Sequence, residues 1–227
     1  MIVTLALVLM LVLDISGSMT GDRLPALVDA ARGLVRSLRP ADRVGVLSFS
    51  QALTLHVPPT TAHQQALEAL GGLAASGPTA LRDALFAGLQ MLEPGSDARP
   101  VLVFFSDGLD TASWMARDDL EGAVRRSGVV IHAVELLDRD RLGRPLSSIA
   151  TTESVHRALE AGGGRLWSAA NPRDLSRLFA DALGELRTRY LITYTVAGPP
   201  ARGWHGVEVR LKGVRGDVQA RPGYWVP

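Results

Sequence analysis

Asp14, Ser16 and Ser18 place one carboxylate and two hydroxyls at alternate positions of Asp14-Ile15-Ser16-Gly17-Ser18-Met19, directly after a long apolar run. Gly17 allows the tight turn that such a loop needs if its three oxygens are to face one point. Hard oxygens that include only one carboxylate suit a small divalent cation such as Mg²⁺, provided that distant residues complete the shell. The same residue types also cap helices. The loop alone therefore admits both readings, and the rest of the chain decides between them.

The elements that must position this loop can be read from the apolar pattern. Ile2 to Leu13 reads as a strand buried on both faces, as in a parallel sheet. Asp14 then lies just past its carboxyl end, where open α/β sheets place their ligand sites. Val101–Ser106 is a second heavily apolar strand that ends at Asp107-Gly108 in the same way. Thr79 opens the helix before that strand, after Gly77-Pro78, and its hydroxyl comes from a third loop. If the two strands lie side by side at the switch point, Asp14, Ser16, Ser18, Thr79 and Asp107 border one crevice. Two carboxylates neutralise a doubly charged ion, and the hydroxyls add ligands without adding negative charge. With water completing an octahedron, at least one position stays exchangeable and open to a carboxylate from another molecule.

Around these segments strands and helices alternate. Helical spacing covers Arg23–Leu38, His63–Leu70, Thr79–Leu92, Met115–Arg126, Thr152–Ala161 and Pro172–Arg187. Strand patterns cover Val44–Phe49, Val129–Leu137 and Arg165–Ser168, with Ala52–Val57 as an antiparallel edge strand stopped by Pro58-Pro59. Asp138–Pro145 reads as an exposed loop. The order implies a doubly wound, Rossmann-like α/β domain with a mostly parallel sheet and helices on both faces. From Tyr190 the period becomes two. Tyr190–Val196, His205–Leu211 and Asp217–Arg221, with a turn at Gly198-Pro199-Pro200, predict a small antiparallel β appendage packed on the α/β core. The expected division is thus residues 1–188 and 189–227.

Composition limits the function. The 227 residues, 47% of them hydrophobic, suffice for one substantial core. A formal net charge of +1 offers no argument for a nucleic-acid partner. Without cysteine there are no disulfides, thiolate metal sites or cysteine nucleophile. The first apolar run has no basic residue before it, lacks a cleavage site and is too short to span a bilayer, so it predicts a core strand rather than a signal peptide or membrane insertion.

The constellation resembles the von Willebrand factor A-type domain with its metal-ion-dependent adhesion site. The matching pieces are Asp14–Met19, Thr79-Ala80-Leu81-Arg82-Asp83-Ala84 and Ser106-Asp107-Gly108-Leu109-Asp110-Thr111. They occur in the family's order, and the resemblance spans roughly residues 2–187. It implies direct ligation by Ser16, Ser18 and Thr79, with Asp14 and Asp107 often acting through water. It also implies Mg²⁺, with Mn²⁺ or Ca²⁺ as alternatives, and a protein partner offering Asp or Glu. Pro78 stands where the family often has a second glycine. The tail, including Arg221-Pro222-Gly223-Tyr224-Trp225, resembles a bacterial subgroup of exported or cell-envelope proteins. In that subgroup a β-rich segment precedes the domain, and this chain opens directly inside its first strand.

The resemblance implies a binding module rather than an enzyme. The rival is a metal-dependent phosphohydrolase with Asp14 as nucleophile, yet related phosphatases carry a second aspartate where this chain has Ser16. The only lysine, Lys212, lies in the tail. Neither a P-loop nor a dinucleotide-binding glycine pattern occurs. Asp83 is expected to support the Thr79 loop, and Asp22, Asp110 and Thr111 to cap helices or shape loops. The five histidines lack zinc-ligand spacing. Trp114 reads equally as an exposed rim contact or a packed aromatic, and Trp204, Tyr224 and Trp225 as packing of the appendage.

Overall fold

The computed structural model describes residues 5–92, 98–107, 110–137, 149–190, 192, 198, 201–213 and 215–227. Its main sheet contains β1 (Ala6–Asp14), β2 (Arg43–Phe49), β3 (Leu53–Thr60), β4 (Ala98–Ser106), β5 (Val130–Leu136) and β6 (Leu166–Ala169). Their spatial order is β3-β2-β1-β4-β5-β6, and only β3 runs antiparallel to its neighbour. All residues of β1 from Leu7 to Asp14 are buried, as a strand covered on both faces requires. The chain winds outward from β1 to β3, returns to β4 on the other side of β1, and winds outward again. The switch point therefore lies between β1 and β4, paired in register from Ala6 with Ala98 to Leu13 with Phe105.

Helices cover both faces. On one face α1 (Arg23–Arg36), α2 (His63–Leu70) and α6 (Leu175–Thr188) pack against Leu7, Leu9, Leu11 and Leu13 of β1 and Val101, Val103 and Phe105 of β4. On the other face α3 (Leu81–Gln90), α4 (Arg117–Ser127) and α5 (Ile149–Gly162) meet the alternate residues, Val8, Met10, Val12, Leu102 and Phe104. Period-two alternation thus feeds two apolar clusters from the same strands. α3 comes so close to the switch point that a Cβ on Gly88 would meet Val12 at 2.7 Å and Leu102 at 2.8 Å. Among the described residues, no helix is long and apolar enough to cross a membrane.

The structure departs from the sequence expectations in several places. Pro58 and Pro59 lie inside β3 instead of stopping it, which an edge strand tolerates because one side needs no ladder donors. The helix expected from Thr79 starts at Leu81, which leaves Thr79 in the loop. Pro172–Asp174 forms a short 3₁₀ turn ahead of α6. The expected Tyr190–Val196 strand, the turn at Gly198-Pro199-Pro200, the Asp138–Pro145 loop and the first residues of the Ile2 run lie wholly or partly outside the described residues.

The tail differs most. Its described strands are β7 (Gly203–Gly206) and β8 (Gly223–Val226), an antiparallel pair, so the expected His205–Leu211 strand is a strand only at His205 and Gly206, and the expected Asp217–Arg221 strand does not form. Residues 217–221 instead bind the core. Arg221 Nη2 donates to the Arg125 carbonyl at 2.9 Å and the Val124 carbonyl at 3.3 Å, near the end of α4, and the Gln219 side chain donates to Gly164 O. Gly163 has no room for a Cβ, which would stand 2.6 Å from Arg221 N. The Arg125 and Arg126 guanidiniums lie over Trp204 and Trp225, at 4.9 and 6.0 Å from the ring centroids. The tail thus packs on α4, and the side chains of Gln219 and Arg221 serve carbonyls of the core.

Arg221 brings a cation to the last carbonyls of α4, where the helix is otherwise underprovided with donors. Arg221→Ala should lower stability by about 1–3 kcal/mol. Urea unfolding of the full chain measures this, and an unchanged midpoint would mean that the arginine adds nothing to the fit of the tail.

Candidate metal centre

β1 ends at Asp14 and β4 at Ser106, side by side, so the loops that follow share one rim. Ser106 Oγ donates to Asp14 Oδ2 at 2.6 Å, and Ser16 N donates to Asp14 Oδ1 at 2.8 Å. The Ser16 and Ser18 hydroxyls are 3.0 Å apart. Ser18 Oγ donates to Asp107 Oδ1 at 2.9 Å, and Arg23 Nη1 donates to Asp107 Oδ2 at 2.7 Å. Asp14, Ser16, Ser18 and Asp107 therefore belong to one hydrogen-bonded chain. Thr79 reaches the same rim through its main chain: its carbonyl accepts from Thr111 N at 2.9 Å and Ala112 N at 3.0 Å, and its N–H donates to Thr111 Oγ1 at 2.9 Å.

The three loops brace one another through backbone bonds. Gly17 N donates to Gly77 O, and Ser76 N to Ile15 O, both at 2.8 Å. Ile15 N donates to Phe49 O and Ala80 N to Ser50 O, also at 2.8 Å, tying the loops to the end of β2. Gly77 has φ +79°, a conformation that glycine adopts without strain, and it turns the chain just before Pro78. Asp83 supports the following loop rather than Thr79 itself, accepting from Trp114 N at 3.0 Å and Met115 N at 2.9 Å. Asp110 shapes that loop as expected, through Ser113 N at 3.0 Å and Arg82 N at 3.0 Å. Asp22 stands before α1 but makes no side-chain cap, because its backbone is already helical there.

Two participants escape a reading of the sequence. Ser106 and Arg23 lie 92 and 84 residues from the carboxylates they contact. Ser106 alone carried a usable signal, as the last residue of a strand beside the Asp14 strand. The histidines are dispersed. Ser48 Oγ and His56 Nε2 come within 2.7 Å, but Ser48 is buried and closed to a substrate. Among the described residues no group of three or more His, Asp or Glu is gathered in a way that could hold a metal. A site built here must draw on hydroxyls.

The oxygens present have the chemistry for a small hard cation. The two contacts of Ser18, at 3.0 and 2.9 Å, match the spacing of about 3 Å between adjacent corners of an octahedron with bonds near 2.1 Å. Asp14 is 0% exposed, and burial pushes its carboxyl up to about 6, with the nearby Asp107 charge acting in the same direction. Asp107 faces the guanidinium of Arg23, which partly occupies the role a metal would take.

Two outcomes follow. In chelator the Asp14 pKa is raised above its unfolded value of about 3.9, so its favourable contribution is present below about pH 4 and is lost as pH rises through about 6. Asp14→Asn should therefore exceed the parent in metal-free stability at pH 7–8, by up to roughly 3 kcal/mol, with the gap closing toward pH 4. Melting both proteins across that range tests the sign, and a gap that widens on acidification would refute it. Arg23→Gln removes a competing positive charge and should tighten Mg²⁺ binding about tenfold; calorimetric titration showing weaker binding would contradict this.

Comparison with known proteins agrees with this architecture. Residues 9–110, less than half of the chain, match the von Willebrand factor type A domain family. A UPF0353 protein of Mycolicibacterium paratuberculosis is 28% identical over 222 residues, covering 87% of this chain and 64% of that protein. One from Mycobacterium marinum is 25% identical over 224 residues with the same coverage. The chain thus spans about 64% of the length of these curated relatives. Among solved structures, an aerotolerance-related membrane protein from Bacteroides fragilis aligns with a TM-score of 0.63 at 18% identity, over 79% of this chain and 100% of that one. A von Willebrand factor type A structure from Catenulispora acidiphila aligns at 0.65 and 18%, over 78% of this chain and 41% of that one. At such identities these structures speak to the fold alone. Over residues 9–110 the chain is therefore similar to the von Willebrand factor type A domain family, and the fold built around that segment is the one those solved structures share.

Proposed function

We propose that this chain is a non-enzymatic, Mg²⁺-dependent protein-binding module. Ser16, Ser18, Thr79, Asp14 and Asp107 are the residues that would hold the ion. The observation that carries this reading is the hydrogen-bonded chain from Ser106 through Asp14, Ser16 and Ser18 to Asp107 at the β1–β4 switch point. When bound, Mg²⁺ supplies two positive charges and an exchangeable position that suits the carboxylate of a partner Asp or Glu. Mn²⁺ or Ca²⁺ could substitute.

The protein's own groups prepare that event. Ser106 and the Ser16 N–H orient Asp14 while it is dry. Arg23 leaves the loaded site with a net positive charge, since two aspartates offset only the ion itself, and that charge favours an anionic partner. The hydrolase alternative lacks support. Asp14 is buried with a hydrogen bond accepted at each oxygen, a setting better suited to supporting an ion from below than to attacking a bulky ester, and Lys212 lies in the exposed tail.

Saturating Mg²⁺ at about 100 times its dissociation constant should add roughly 2.7 kcal/mol of stability. A Ser16→Ala/Ser18→Ala variant should lose most of that gain while keeping its fold, because both hydroxyls sit in a loop at the rim of the sheet and belong to neither apolar cluster. Thermal melts with Mg²⁺, Mn²⁺ and chelator provide the measurement. Identical melting under all three conditions would dismiss the metal, and turnover of a small phosphate ester abolished by Asp14→Asn would favour the enzyme.

A further inference from the structure

Trp114 is 97% exposed, the most exposed large hydrophobic side chain among the described residues. Its backbone is nevertheless held on every side. Asp83 accepts from the N–H groups of Trp114 and Met115 at 3.0 and 2.9 Å. Arg82 Nε donates to Met115 O at 2.7 Å. Ser113 Oγ accepts from Arg82 N at 3.0 Å and Asp83 N at 3.3 Å, while Ser113 N donates to Asp110 at 3.0 Å. The loop is thus a rigid mount with its indole turned into water. Such an aromatic loses little conformational freedom on contact, and tryptophan on a rigid base is the residue type that dominates binding hot spots.

Its place is also specific. Ala112 N lies 3.0 Å from the Thr79 carbonyl, and Trp114 follows two residues later, within about 7 Å of extended chain. The indole and the rim oxygens can therefore be reached by side chains of one short partner segment. Arg82 and Asp83 are engaged inside the loop, and Ala116 is exposed beyond half-buried Met115, so Trp114-Met115-Ala116 presents apolar surface.

We infer that Trp114 is a second anchor of the partner site: a partner segment whose Asp or Glu reaches the ion carries a large apolar side chain within about four residues of that acid, and this side chain lies on the indole. This inference rests on the metal-bridged binding proposed above, and it adds the neighbour that the partner's acid must have.

Short random peptides with one fixed Asp or Glu, displayed on phage, can be panned on the full chain in Mg²⁺ and eluted with chelator. Selected peptides are then measured against the parent, Trp114→Ala and Trp114→Phe, alongside a control peptide with glycines flanking its acid. The expected result is enrichment of Leu, Ile, Phe, Tyr or Trp near the acid. Affinity should fall about tenfold in Trp114→Ala and recover in part in Trp114→Phe. The glycine-flanked peptide and the Mg²⁺ melting shift should stay the same in all three proteins. Metal-dependent acidic peptides that bind parent and Trp114→Ala equally would remove Trp114 from the site and leave the metal bridge standing. Enrichment of Arg or Lys would replace the apolar contact with a cationic one and overturn the inference. A parent that self-associates through Trp114, becoming monomeric in Trp114→Ala, would assign the indole to a second copy instead. A parent whose melting ignores Mg²⁺ would bring down the metal bridge and this inference with it.

Discussion

Asp14 is a carboxylate almost without water, set beside a second carboxylate at the one place in the sheet where the winding reverses. Burial alone would drive it toward its protonated form, and its neighbour adds to that pressure. The Ser106 hydroxyl and the Ser16 N–H offset part of the cost, and Arg23 compensates Asp107 instead. Much of the surrounding loop structure serves to keep these groups in place. A cation is the simplest partner that would satisfy the pair, which is why the proposal above turns on charge rather than on the shape of a cleft.

The apolar core makes this arrangement affordable. β1 and β4 are buried from both sides, so their pairing is specified along the whole strand, and a slip of one residue would exchange the two apolar clusters. The same register carries Asp14 to Ser106. The close approach of α3 at Gly88 and the backbone bonds from Gly17 to Gly77 then fix the second loop against the first. Thr111 clamps the third loop to Thr79 from both its side chain and its main chain. The site is thus a product of core packing, although none of its polar residues belongs to the core in the ordinary sense.

Much of the fold was legible because it rests on apolar runs. Two continuous runs each ending in Asp or Ser-Asp, with helical spacing between them, dictate a doubly wound sheet, and β1, β2, β4 and β5 appear close to their expected bounds. Contacts without a local pattern were not legible. Arg23 belongs to an ordinary amphipathic helix, and nothing near it in sequence indicates that it faces Asp107. Pro58-Pro59 looked like a stop because the edge position of β3 depends on the order of the whole sheet. In the tail, alternation over His205–Leu211 suggested a long strand, but pairing stops at Gly206, and the side chains of Gln219 and Arg221 reach carbonyls of Gly164 and α4. Exposure of Trp114 was likewise undecidable from spacing, since it depends on a loop held by Asp83 from another element.

The central claim is that the oxygens of Asp14, Ser16, Ser18, Thr79 and Asp107 hold one divalent cation. Crystals of the full chain grown with Mn²⁺ and measured at the manganese absorption edge test it most directly. The account predicts a single strong anomalous peak at the carboxyl ends of β1 and β4, about 2.1–2.3 Å from the Ser16 and Ser18 hydroxyls, and its absence from crystals of Asp107→Ala. An empty rim at saturating Mn²⁺, or a peak elsewhere on the molecule with the rim hydrogen bonds intact, would contradict it.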